Sequence, residues 1–119
     1  MYISESDKML IRQLVEQHLQ AFQANDLATA FSLTSPQIQN KFTLEEFIQT
    51  MGDRYSLMFK PRSIMFRGFT LVNNFPALSA LIMDQGGKLA KVLFIAQHQQ
   101  DLSWRIHGYE LVSINKKIM

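Results

Sequence analysis

Residues 61–72 read Pro61-Arg62-Ser63-Ile64-Met65-Phe66-Arg67-Gly68-Phe69-Thr70-Leu71-Val72, and here the hydrophobic period of the chain changes from 3.6 to two. Alternation over ten residues after a proline predicts a strand over Ser63–Val72, with Gly68 at a bend or bulge. Further strands are expected over Ala77–Met83, Lys88–Gln97 and Trp104–Ile114. Asp84-Gln85-Gly86-Gly87 is a hairpin signal, and His98–Ser103 is a polar turn. Consecutive strands joined by short turns pair antiparallel.

Upstream of Pro61 the period is helical. Leu10, Ile11, Leu14, Val15, Leu19 and Phe22 form the stripe of a one-faced helix, with Ser4 or Ser6 as its N-cap and Asn25 as its stop. Asp26 caps a short second helix carrying Leu27, Ala30, Phe31 and Leu33, which Thr34-Ser35-Pro36 ends. Pro36 can open one further turn through Ile38. A third helix starts at Thr43, where Thr43 and Glu46 have capping-box spacing and Phe42 is placed to staple onto Phe47. Its stripe runs Phe47, Ile48, Met51, Tyr55, Met58, interrupted by Gly52. Three helices followed by a four-stranded antiparallel sheet is an α+β layout, read as a single domain over residues 1–119.

Composition narrows the chemistry. The 119 residues include nine Phe and seven Met, ample for a core, and no Cys. Disulfides, thiolate nucleophiles and Cys-ligated metals are therefore excluded. His18, His98 and His107 lack metal-motif spacing, so no cofactor or metal is expected. Twelve Lys+Arg against ten Asp+Glu give a net charge of +2, with Lys116-Lys117 as the sole cluster, which argues against nucleic acid as a partner. The longest apolar run, Val92–Ala96, is far short of the ~20 residues of a membrane span, and the polar start does not read as a signal peptide. A cytoplasmic protein is expected. No nucleotide-binding glycine motif, nucleophile elbow or His-Glu-x-x-His occurs.

The segment Ala30-Phe31-Ser32-Leu33-Thr34-Ser35-Pro36, then Phe47, Met51 and Tyr55, and the closing Trp104-Arg105-Ile106-His107-Gly108, resemble the nuclear transport factor 2-like (cystatin-like) superfamily. The similarity runs from about Leu10 to Val112, and is nearest to small stand-alone bacterial domains of unassigned function. It implies a strongly curved sheet wrapped around a long N-terminal helix to make a cone. Members include isomerases, dehydratases, polyketide cyclases, transport adaptors and association domains, and they often dimerise through the sheet. Enzymes of the superfamily place an Asp or His inside the cone. No such motif maps onto this chain, so the resemblance implies no catalytic residue here.

Within that frame His18 borders the buried face of the first helix, either as a packed boundary histidine or as part of a pocket. Tyr55 ends the third-helix stripe and either packs or turns its hydroxyl into a cavity. Met58, Phe66 and Trp104 complete the expected ligand pocket. Strict alternation places Trp104, Ile106 and Gly108 toward the helices, with Arg105, His107 and Tyr109 on the outer side. Leu89, Leu93 and Ile95 make the third strand apolar on its second face too, so both faces need cover. Leu93, Ile95, Arg105, His107 and Tyr109 are therefore the expected face of a homodimer.

Three functions fit: a homodimeric module binding a small apolar or amphipathic ligand or a protein; a cofactor-free isomerase or dehydratase with His18 as base and Tyr55 as acid; and an electrostatic binder using Arg62, Arg67, Lys91 and Arg105.

Overall fold

The structure, a computed structural model, describes residues 3–114. Helices come first: α1 (Glu5–Gln23), α2 (Leu27–Ser32), α3 (Pro36–Lys41) and α4 (Leu44–Arg54), then a single 3-10 turn, Ser56–Met58. The strands follow as β1 (Ser63–Val72), β2 (Phe75–Met83), β3 (Leu89–His98) and β4 (Trp104–Ile114), in one antiparallel sheet of order β1-β2-β3-β4. The architecture is α+β, as the change of period implies.

Local chemistry sets the helix limits. Ser4 caps α1 by accepting from the Asp7 amide, and Asn25, at φ 56°, turns the chain out after it. Asp26 caps α2, and Thr43 and Glu46 close a complete capping box on α4. The turn expected at Pro36–Ile38 continues to Lys41, because Ser35 supplies an N-cap and Pro36 takes a first-turn position. That makes a fourth, short helix.

The strands differ from expectation mainly at one end. β2 starts at Phe75, two residues early, because Asn73 and Asn74 both adopt positive φ (49° and 68°) and close a tight hairpin. Pro76 sits next to the strand start, where a missing N–H is tolerated. Gly68, at φ 150°, marks the bulge between Phe66 and Gly68 in the β1–β2 ladder. β3 and β4 slip twice more, between Lys91 and Val92 and between Ile95 and Ala96. Each bulge adds local bend and twist to the sheet.

The core lies between α1 and one sheet face. Ile11, Val15, Leu19 and Phe22 pack with Leu78, Ala80 and Ile82 of β2, Val92, Phe94 and Ala96 of β3, and Ile106 of β4. Each large side chain fully removed from water there contributes about 1.5–3 kcal/mol. The alternate residues, including Ala77, Ser79 and Leu81 on β2 and Leu93 and Ile95 on β3, point to the opposite face. The β4 edge is closed locally: Ile106 donates to the Leu33 carbonyl at 2.9 Å and accepts from the Ser35 amide at 2.7 Å, so the α2–α3 link lies alongside the strand.

Candidate functional site

The site is created by a slip in β4. Ala96 pairs with Ile106 but Ile95 pairs with Gly108, which leaves His107 as an extra residue. One extra residue reverses the faces beyond it. Trp104 and Ile106 face the helices before the bulge, and Tyr109 and Leu111 face them after it. The expectation that Tyr109 shares an outer face with Arg105 and His107 is therefore corrected: Tyr109 turns inward, toward α1.

There Tyr109 meets His18, the fully buried histidine of α1. The two rings stack at 5.6 Å with a 16° interplanar angle, and the Tyr109 hydroxyl is hydrogen-bonded to His18 Nε2. Phe22 approaches the imidazole edge-on at 4.9 Å. Burial lowers the His18 pKa to about 3, slightly opposed by the Ala30 carbonyl, so the ring is neutral near pH 7. Burial raises the Tyr109 pKa well above 10, with the Tyr55 hydroxyl adding to the shift. Tyr109 thus keeps its proton and donates to Nε2, which leaves the imidazole proton on Nδ1. That nitrogen makes no hydrogen bond of ordinary geometry among the described residues.

Tyr55 lies on the other side of Tyr109, with ring centroids 5.3 Å apart, and its hydroxyl donates to the Tyr109 carbonyl at 3.5 Å, a long bond. His18, Tyr109 and Tyr55 so form a row running from the core outward. The row ends at a cavity of about 150 Å³ between α3, α4 and β4. Ile38, Phe42, Phe47 and Met51 give it apolar walls, with Tyr55 and Tyr109 beside them. Arg54, exposed in the last turn of α4, lies at its edge, and Lys41 Nζ sits 5.7 Å from the centre of the Phe42 ring.

The expected pocket residues do not converge on this cavity. Tyr55 lines it. His18 does not, because the Tyr109 ring stands between, and Met58 is also fully buried in the core. Phe66 lies under the Arg12 guanidinium, 5.0 Å from its ring centre. Trp104 stacks on His98 at 4.4 Å and borders a separate groove of about 330 Å³ with Leu10 and Leu102. Arg105 and His107 on β4 both bond within the chain. Arg105 donates to the Ser32 carbonyl at 2.7 Å, at the end of α2. His107 Nδ1 shares a 2.8 Å hydrogen bond with buried Ser35 Oγ and packs on Phe75. Both side chains fasten helices to the sheet. Arg62 lies exposed just before β1, Arg67 exposed on β1 and Lys91 on the central β3, so the four cations of the electrostatic reading are dispersed.

A wider concavity, about 730 Å³, is an open polar cleft between α3 and the β3–β4 hairpin. Its amides are partly spent internally, with Gln39 donating to the carbonyls of Phe31, Ser32 and Thr34. Among the described residues no three His, Asp or Glu side chains come together as metal ligands, and no helix is long and apolar enough to cross a membrane. Arg54, Lys41, Ile38 and Phe42 escaped the sequence reading. Arg54 stands next to Tyr55 and three residues after Met51, on the face that builds the cavity.

Residues 4–119 match the family described as Domain of unknown function (DUF4864). The chain belongs to that family. DUF4864 carries no assigned activity in its description, and neither curated proteins nor solved structures yield a match to the chain. For this DUF4864 domain, function has to be argued from the site alone.

Proposed function

We propose that the domain is a homodimeric binding module of the nuclear transport factor 2-like kind, whose cavity between α3, α4 and β4 takes a small apolar or amphipathic ligand. The observation that carries the reading is the cavity itself: apolar and aromatic walls, a few polar groups at one end, and a volume of about 150 Å³. The bulged sheet laid over a long first helix supports the cone-fold part of the proposal.

The acid/base alternative has less support. A general base must reach its substrate within hydrogen-bond distance. His18 Nε2 is occupied by the Tyr109 hydroxyl and sealed behind that ring, and a pKa near 3 makes it a poor base at neutral pH.

Support for a dimer comes from the sheet face away from α1. Leu81 and Ile95 lie there half-buried on the two central strands beside buried Leu93, and Met65, paired with Leu81, is 58% exposed. An apolar sheet face of this kind calls for a second layer. Native mass spectrometry of gently purified protein tests both parts at once. A dimer that carries a constant extra mass of small-molecule size is expected, with Leu81→Lys giving monomer. A monomer at micromolar concentration sinks the dimer; failure of any small apolar compound to bind, together with no retained mass, sinks the pocket.

A further inference from the structure

The same cavity also restricts the chemistry of what it takes. We propose that its ligand is a small aromatic carboxylate of benzoate size, with the ring in the cavity and the carboxylate on Arg54. This rests on the reading of the cavity as a ligand site, and adds a ligand class to it.

Size sets the first limit. An apolar protein cavity of about 150 Å³ accommodates benzene, so a single six-membered ring matches the volume here. Wall chemistry sets the second. Phe42, Phe47, Tyr55 and Tyr109 present aromatic surfaces, and a ring among rings gains edge-to-face and offset contacts beyond the area it buries.

Charge sets the third. Arg54 lines the cavity and Lys41 flanks it over the Phe42 ring, while no Asp or Glu is among the lining residues. The ion pairs formed among the described residues are Lys8 with Glu5 and Arg12 with Glu16, so neither Arg54 nor Lys41 is spent on a described carboxylate. The nearest acidic residues in sequence have other settings: Glu46 accepts from the Thr43 amide at 2.8 Å in the capping box, and Glu45 and Asp53 are exposed and are not among the cavity's lining residues. A guanidinium beside an apolar slot favours a planar anion that can accept two parallel hydrogen bonds, and a carboxylate on a ring is that shape. A cationic amine would meet two positive charges there.

The test is a titration of full-length protein with benzoate and with its neutral isostere benzamide, followed by amide chemical shifts and calorimetry. Three variants accompany it: Arg54→Gln, Lys41→Gln and the cavity-filling Thr50→Phe, each checked for parental circular dichroism. Benzoate is expected to bind with shifts centred on Thr50, Tyr55 and Gly108, and benzamide about tenfold more weakly. Arg54→Gln should bring benzoate down to the benzamide level without changing benzamide, Lys41→Gln should act in the same direction more weakly, and Thr50→Phe should abolish both. Equal binding of the two probes, unaltered by Arg54→Gln, overturns the carboxylate proposal and leaves the cavity reading standing. Binding of neither probe at millimolar concentration overturns both. Benzoate binding that survives Thr50→Phe places it elsewhere and overturns the proposal.

Discussion

Lowering the pH should destabilise the domain through His18, and the size of the effect follows from its burial. The imidazole titrates at 6.5 in the unfolded chain and at about 3 in the folded one, where burial opposes the charge. Between those values the unfolded state binds a proton that the folded state refuses. Stability therefore falls as pH drops below about 6.5, and the loss levels off near pH 3. From pH 7.5 to pH 5.0 a single such group costs about 2 kcal/mol, with the slope approaching about 1.4 kcal/mol per pH unit. His107, whose pKa is also lowered by burial, adds to the loss in the same direction. Asp26 and Asp101, lowered by hydrogen bonds from Thr29 and Ser103, lose their contribution only in the ordinary carboxylate range and below, outside this window. Urea unfolding at pH 7.5, 6.0 and 5.0 measures the slope. The comparison is His18→Leu/Tyr109→Phe, which removes donor and acceptor together and so leaves no orphaned group from their bond. Its stability between pH 7.5 and 5.0 should fall by about 2 kcal/mol less than the parent's. Equal losses in the two proteins would refute the argument that His18 is buried neutral.

Other substitutions test local parts of the fold. Gly52→Ala should stabilise by about 0.5–1 kcal/mol, raising Tm by about 2–6 °C, because Gly52 lies within α4 with nothing within 4 Å of an added Cβ; an unchanged or lower Tm contradicts this. Gly68→Ala should cost about 1–3 kcal/mol in urea unfolding, since φ 150° is a conformation L residues rarely adopt, although the space around it is open. A neutral result would mean that the bulge relocates. Ser35→Ala should cost about 1–2 kcal/mol by the same assay, as it removes the cap of α3 and the partner of His107 Nδ1 together.

Much of the fold was legible because its signals are local. Ser4, Asp26 and Thr43 each cap a helix through a bond three residues long, which a sequence displays directly. Gly68 announced its bulge for the same reason. The reversal at His107 was missed although Gly108 stands beside it, and a glycine inside a strand is the ordinary mark of a bulge. Read instead as a plain member of an alternating face, Gly108 put Tyr109 on the wrong side and hid the row from His18 to Tyr55. The hairpin at Asn73-Asn74 carried a turn signal too, in two residues that tolerate positive φ. The cavity is a different matter. Ile38 and Phe42 reach it from α3, Arg54 from α4 and Gly108 from β4, and no spacing along the chain encodes that meeting.

The pair of buried His18 and half-buried Tyr109 acts on the fold more readily than on a substrate. Burial moves the His18 pKa down and the Tyr109 pKa up, so the proton stays on the phenol across the neutral range. General acid–base catalysis is most efficient when a pKa lies near the working pH. What the pair does supply is register. Were β4 to slide by one residue relative to α1, Gly108 or Glu110 would stand where Tyr109 does. His18 Nε2 would then be buried without a donor, at about 1–3 kcal/mol, or would face a carboxylate that must itself be desolvated. An apolar pair at the same place would tolerate the slide better, since apolar contacts are not directional. One hydrogen bond between α1 and β4 thereby holds the bulge at His107, and with it the Tyr109 ring that forms one side of the cavity.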